Sequence, residues 1–258
     1  MITATNNSKV KKIMQLNQKA KARKEENAFV VEGYKMFLEA PVEKIRDVYV
    51  TESFYHKHEE CQEKLQLCAY EMVSDEVFRK MSDTKTPQGI LCVVEQFQYD
   101  MNAVMKKKAP LLVILEDLQD PGNLGTIIRT GEGAGIDGVV MSRNTVDIYN
   151  PKTIRATMGS IYRVPFWYVD SLQEVFAQLH ANGIKTYAAH LEGNHYYDTN
   201  SFREGTAFVI GNEGNGLKRE TADLATSYIK IPMEGQVESL NAAIATSLLM
   251  YEARRQRQ

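Results

Sequence analysis

Apolar residues fall in strand-length runs separated by helical spacings along most of the chain. Between Phe29 and Val94 the runs are short. Residues 29–32, 47–50, 66–72 and 90–94 read as strands, with helical stretches at 33–38 and 56–64, which together make a small α/β unit. From Pro110 onward six apolar runs, at 111–115, 138–141, 164–169, 184–189, 206–210 and 228–231, alternate with helical patterns. Buried strands with intervening helices predict an α/β domain on a mostly parallel six-stranded sheet covered on both faces. Helices are expected at 124–133, at 170–181 with Asp170 or Ser171 as N-cap, and at 238–255. In the last of these Leu240, Ile244, Leu248 and Tyr251 recur at helical spacing and are expected to be buried. Residues 96–108 follow neither period and read as a linker. The domain plan is an arm at 1–24, the small unit at 25–97, a linker at 98–109 and the larger domain at 110–258. Ligands of such sheets bind in the loops beyond the strand C-termini, so the chemistry is sought there.

Composition narrows the class. With 43% hydrophobic and 25% charged residues the chain has ordinary globular proportions, and no apolar run approaches the ~20 residues of a membrane-spanning helix. No signal-peptide stretch precedes Lys24, so a cytoplasmic protein is expected. Cys61, Cys68 and Cys92 form no C-x-x-C pair, and His56, His58, His180, His190 and His195 show no ligand grouping, so neither a disulfide framework nor a metal is expected. The net charge of −2 conceals an uneven distribution. Lys9, Lys11, Lys12, Lys19, Lys21, Arg23 and Lys24 precede the first acid, a basic arm on an acidic body suited to phosphates.

One apparent motif is set aside. Gly133-Ala134-Gly135-Ile136-Asp137-Gly138 fits the dinucleotide fingerprint, which must follow a strand and open a helix. Here the glycines close a helix and lead into a strand, as C-cap glycines do, which disfavours a nicotinamide- or flavin-dependent oxidoreductase.

Three strand-to-helix segments carry more. In the first, Asp117 to Arg129, Asn123 is a natural N-cap, and Arg129 suits either a carboxylate partner or a bidentate phosphate contact. In the second, Val209 to Leu217, three glycines follow a buried strand and Glu213 can accept hydrogen bonds from backbone or substrate. In the third, Ile231 to Ala243, Ser239 and Asn241 stand at a helix start, where they can cap or serve a ligand. Asn241 reads as already inside the helix, where Asn is disfavoured, which argues for a side-chain task.

Together the residues Asn123-x-Gly125-x-x-x-Arg129, Gly211-x-Glu213-Gly214-x-Gly216 and Pro232-Met233-x-Gly235-x-Val237-x-Ser239-Leu240-Asn241 match three family motifs in order and spacing. The C-terminal domain thereby resembles the SpoU (TrmH-like) RNA ribose 2′-O-methyltransferases. The small unit, with Thr86-Pro87-Gln88-Gly89-Ile90 near its end, resembles that family's L30e-like substrate-binding domain. The resemblance implies a C-terminal trefoil knot, a homodimer, and S-adenosylmethionine (SAM) held by Gly211, Ile231 and Leu240 with Met233 nearby. It also implies transfer of the sulfonium methyl to a ribose 2′-hydroxyl, with Asn123, Glu213, Ser239 and Asn241 shaping the site. Arg129 would be base or phosphate anchor, and anchoring is the default because guanidinium groups hold their proton in proteins. The implied partner is RNA, ribosomal rather than transfer RNA given the added small unit, with Lys152, Arg155 and Arg163 joining the basic arm on the phosphates. The alternatives are a tRNA ribose methyltransferase and a non-catalytic RNA-binding or ribosome-assembly factor on the same fold.

Overall fold

Strands form where β-branched and aromatic residues are buried, and the chain has two sets of them. The computed structural model describes residues 1–193 and 195–258. Two units are present, Met1–Gln98 with Asp147–Tyr162 and Tyr99–Val146 with Arg163–Gln258.

In the first unit the strands are β1 (Ala28–Glu32), β2 (Ile45–Thr51), β3 (Tyr70–Val73) and β4 (Ile90–Glu95), in the order β1-β4-β2-β3. β4 runs antiparallel to both neighbours, and β2 pairs with β3 in parallel. The N-terminal basic stretch is not a free arm. Asn7 caps a helix, Ser8–Gln18, whose Val10, Ile13 and Leu16 share a core with Val77, Phe78 and Met81 of the helix Asp75–Met81. Burying each such side chain is worth roughly 1.5–3 kcal/mol, which outweighs the tendency of the lysines to stay in water. Lys9, Lys11 and Lys12 lie on the exposed side of this helix, where Lys9 pairs with Glu71 and Lys12 with Glu26, and in the next helix, Ala20–Glu26, Lys21 pairs with Glu25. Lys11, Lys19 and Lys24 have no ion pair among the described residues.

Arg23 is 4% exposed and leaves the phosphate-binding set altogether. Its Nε and Nη2 donate to Asp147 Oδ2 at 2.8 and 2.6 Å, and Nη1 donates to the Leu16 carbonyl at 2.6 Å. Asp147 opens the segment Asp147–Tyr162, which lies between two strands of the second sheet in sequence yet packs in the first unit. The Tyr149 ring lies 4.5 Å from that of Phe29, and its hydroxyl accepts the Phe97 N–H at 2.9 Å. Arg155 is paired with Asp83 in the same unit.

The second unit is a seven-stranded sheet of β5 (Leu111–Leu115), β6 (Gly138–Ser142), β7 (Phe166–Val169), β8 (Lys185–Ala189), β9 (His195–Tyr196), β10 (Thr206–Ile210) and β11 (Ser227–Lys230). The order is β7-β6-β5-β10-β8-β11-β9, and every pairing is parallel. The six expected strands are all present, and the two-residue β9 adds a seventh at the edge. Part of the expected linker is ordered: Asp100 accepts the Asn102 N–H at 2.9 Å and caps the helix Met101–Met105, whose Val104 and Met105 enter the core. The helix Pro121–Ala134 ends on Gly135, which takes a left-handed φ of 75° as C-cap. That is the plain reading of the glycine run.

The last helix, Ala242–Gln256, corrects the sequence reading of its buried face. Ala242, Ala243, Thr246, Leu249, Met250 and Ala253 are buried, whereas Ile244, Leu248 and Tyr251 are 51%, 39% and 50% exposed. Small residues let this helix approach Pro121–Ala134 closely. A Cβ on Gly133 would sit 3.0 Å from the Tyr251 hydroxyl, and one on Gly131 would sit 3.6 Å from Met250 Sδ.

Candidate active site at the strand C-termini

Because the sheet is parallel, the loops leaving β5, β10 and β11 emerge at one end, and the three motif segments are those loops. The first begins with a buried carboxylate. Glu116, 3% exposed, accepts the Thr221 hydroxyl at 2.5 Å and the Lys218 N–H at 2.8 Å, tying the end of β5 to the segment after β10. Asp117 follows with φ 53°, a left-handed conformation that costs an L-residue free energy and persists only where its surroundings enforce it. Here they do: its N–H donates to Ser142 Oγ, its carboxylate accepts Ser142 Oγ–H at 2.7 Å and Lys218 Nζ at 2.8 Å, and its carbonyl accepts the Asn212 amide at 2.9 Å. The Lys218 ammonium holds the Asp117 carboxyl below its ordinary range.

The helix start is displaced from its expected position. Asp120, not Asn123, is the N-cap, accepting the Asn123 N–H at 2.8 Å, and Pro121 occupies the first helical turn, where its missing N–H costs nothing. Asn123 is thereby relieved of capping. Its Nδ2 donates to Glu213 Oε1 at 3.0 Å, and its Oδ1 accepts Asn241 Nδ2 at 3.0 Å. Asn241 is in turn the N-cap of Ala242–Gln256 rather than a residue inside it, accepting the N–H groups of Ala243 at 2.9 Å and Ile244 at 3.3 Å. Its placement is favourable, so the propensity argument for a special task falls, while its amide remains committed to Asn123.

These bonds form a directed relay from the helix amides to Asn241, to Asn123, to the Glu213 carboxylate. Backbone donors at one end and a carboxylate at the other fix both amide orientations. Glu213 also accepts the N–H groups of Asp120 at 2.9 Å and Gln119 at 3.0 Å. Burial pushes its carboxyl up, but the Gln119 N–H, the Asn123 amide and the Asp120 N–H outweigh that and hold it below its ordinary value. A carboxylate so engaged orients its neighbours and is poorly placed to take a proton.

The loop that presents Glu213 is shaped by Asn212, whose Oδ1 accepts the N–H groups of Gly214 and Asn215 at 2.9 and 3.0 Å. Gly211 is required by this loop's own path: a Cβ there would lie 2.2 Å from the Gly216 carbonyl carbon and the Leu217 nitrogen. Among the described residues, Pro232 to Leu240 makes no hydrogen bond, which leaves its backbone donors and acceptors available to a ligand. Ile231, Met233 and Leu240 are half-buried along this segment, and Ser239 is exposed. Arg129 is exposed and has no ion pair or hydrogen bond among the described residues. The structure thus joins Asn123, Glu213 and Asn241 directly, and among the described residues no hydrogen bond or ion pair links Arg129 or Ser239 to them. Arg163, expected on phosphate, is paired with Glu132.

Sequence reasoning missed Asp117, Ser142, Asn212 and Lys218, the groups that set the loop. The one available signal was Asn212 two residues before Gly214, an Asx-turn pattern. Among the described residues no metal-ligating cluster occurs, and no helix is long and apolar enough to cross a membrane.

A parallel α/β sheet with a polar relay and unbonded backbone at its carboxyl end defines the class, an α/β domain that binds ligands at its strand termini. Residues 110–251 match the SpoU rRNA Methylase family and residues 7–92 the MRM3-like substrate binding domain. The chain belongs to the SpoU rRNA methylase family. It is 33% identical over 260 residues, 99% of this chain and 93% of the relative, to an uncharacterized tRNA/rRNA methyltransferase of Synechocystis. It is 31% identical over 258 residues, 98% of each chain, to the 23S rRNA (guanosine(2553)-2′-O)-methyltransferase RlmP of Bacillus subtilis. The crystal structure of an AdoMet-bound rRNA methyltransferase from Sinorhizobium meliloti matches with a TM-score of 0.89 at 30% identity, covering 100% of this chain and 98% of that one.

Proposed function

We propose that the protein transfers the methyl group of SAM to a ribose 2′-hydroxyl of ribosomal RNA. The observation that carries the reading is the Asn241–Asn123–Glu213 relay, which draws all three motif loops together at the carboxyl end of the sheet. The residues fit the cofactor. Ile231 precedes and Met233 and Leu240 lie within a stretch whose backbone groups are unspent, as a ligand held by main-chain contacts requires, and Gly211 opens the second motif loop, within the knot that the family resemblance implies. When bound, SAM supplies an electrophilic methyl group, and the rest of the catalysis is positioning, which supplies much of the rate in such displacements.

Each residue has a task in this reading. Arg129, an unpaired exposed cation, holds a phosphate next to the target ribose in the bidentate manner of guanidinium groups. Asn123 and Asn241 fix the loops around the reacting hydroxyl, and Ser239 offers it a hydroxyl partner. Glu213 anchors the relay, and with three hydrogen bonds already accepted it is not the general base. Ribosomal RNA is favoured because RlmP and the Sinorhizobium protein, which match along nearly the whole chain, are both described as rRNA methyltransferases. The exposed stripe of Ile244, Leu248 and Tyr251 supports a homodimer formed through the last helix.

Calorimetric titration with SAM, paired with label transfer to rRNA, tests the reading. Binding and transfer in the wild type, with transfer lost and binding kept in Arg129→Ala, is the expected pattern. An intact protein that binds RNA without binding SAM would favour the assembly factor instead.

A further inference from the structure

The Thr86-Pro87-Gln88-Gly89 turn of the first unit has no part in the strand-terminal site, yet the structure takes trouble to place Gln88. Two glycines in left-handed conformations make the room, Gly33 at φ 105° and Gly89 at φ 91°. A Cβ on Gly33 would lie 2.9 Å from Gln88 Oε1, and one on Gly89 would lie 2.4 Å from Thr51 Oγ1. Gln88 Oε1 accepts the Tyr34 N–H at 2.8 Å, which fixes the amide orientation and leaves the Nε2 donors unspent. The preceding turn is held by Glu32, whose carboxylate accepts Ser82 Oγ at 2.8 Å and Thr84 Oγ1 at 2.7 Å.

Gln88 borders an open cavity of about 280 Å³ whose walls include Ser53, Asp75, Phe78, Arg79 and Pro87. The Asp75 carboxylate has no partner among the described residues, and Arg79 spends only its Nε, on the Asp75 carbonyl at 3.2 Å. The cavity therefore combines the half-buried Pro87 ring, two unspent donor groups and one unspent carboxylate. Its volume is at the small end of ligand sites, the size of one base rather than a base pair.

We propose that this cavity holds a single unpaired guanine base of the substrate RNA. The proposal rests on the RNA-methylating reading above and names a contact by which the first unit would select its substrate. Guanine presents two acceptors, O6 and N7, to donors such as Arg79 and the Gln88 amide, and its N1–H and exocyclic amino group are donors for a carboxylate. Uracil, cytosine and adenine each leave at least one of these groups without a match. The cavity is lined by residues of the first unit alone.

The test uses the full chain without cofactor and four fluorescein-labelled RNA heptamers, UUUGUUU, UUUAUUU, UUUCUUU and UUUUUUU, read by fluorescence anisotropy. Tighter binding of the guanine heptamer by about tenfold is expected. Asp75→Asn and Gln88→Ala should each remove most of that preference while leaving affinity for the all-uridine heptamer and the melting temperature unchanged. Equal affinity for all four, preference for another base, or a guanine preference that survives both substitutions would overturn the proposal. In rRNA methylation Asp75→Asn should raise KM for RNA and leave kcat intact, and a fall in kcat alone would also count against it. A guanine preference in a wild type that transfers no methyl would instead remove the functional reading and leave the cavity assignment standing.

Discussion

Glu213→Gln probes the relay with the least change in shape. The carboxylate accepts the Asp120 N–H and the Asn123 amide on Oε1 and the Gln119 N–H on Oε2. A glutamine keeps one acceptor oxygen and turns an –NH₂ toward at least one of the three donors. Hydrogen bonds to a charged acceptor are worth about 1.5–3 kcal/mol each. The loop is exposed, so a stranded N–H can reach water, and the expected net loss is about 1–2 kcal/mol. For a domain of this size that lowers the melting temperature by about 3–6 °C, measurable by scanning calorimetry. The pH dependence follows from the lowered carboxyl of Glu213. The folded protein binds this proton less readily than the unfolded chain, so the stabilisation is complete above the ordinary value of 4.5 and is lost as the pH falls through the lower folded value. The gap between wild type and variant should therefore close on acidification, and amide exchange at Gln119 and Asp120 should accelerate in the variant at neutral pH. A gap that stays constant down to acid pH, or unchanged exchange at both amides, would refute the relay as described.

Four further outcomes are expected. Arg129→Lys should reduce methyl transfer by at least roughly tenfold through loss of the bidentate fork, and near-normal turnover would rule out a clamp. Arg23→Met leaves Asp147 without its buried partner and should cost about 3–5 kcal/mol in urea unfolding, whereas a loss below about 1 kcal/mol would show the pair to be idle. Ile244→Asp should convert a dimer into a monomer by sedimentation, and a monomeric wild type would end the dimer proposal. Reversing the charge of Lys11, Lys19 and Lys24 together should weaken RNA binding and flatten its salt dependence, and an unchanged salt slope would remove these lysines from the interface.

The centre of the parallel sheet was legible because β5, β6 and β10 are buried almost throughout and read as apolar runs. β10, with Thr206 to Ile210 wholly buried, is the clearest case. The small unit was legible in outline only. Helix Asp75–Met81 went unread, and the acidic stretch near His56 broke into Glu52–Lys57 and Gln62–Leu67 around a 3₁₀ turn. The last helix shows why a period does not name a face. Ile244, Leu248 and Tyr251 are the bulkier stripe, but close packing against glycines selects the stripe of Ala242, Ala243, Thr246 and Ala253. Basic composition misled at the N-terminus, because a helix with seven bases nearby still buries Val10, Ile13 and Leu16 and recruits Arg23 inward. At the site the motif residues could be named from sequence, but their division of labour could not. Asp120 and Asn123 are both good caps, and only the path of the loop after β10, which brings Glu213 to Asn123, decides between them.

The most direct measurement incubates the purified protein with methyl-labelled SAM and total RNA lacking the modification, then maps alkali-resistant 2′-O-methyl sites by RNA size and position. Label confined to a ribose of ribosomal RNA, and absent when Asn123→Ala is used, is the expected result. Label on a base, or no transfer from a protein that is folded and binds SAM to any ribosomal RNA or assembly intermediate, would contradict the assignment.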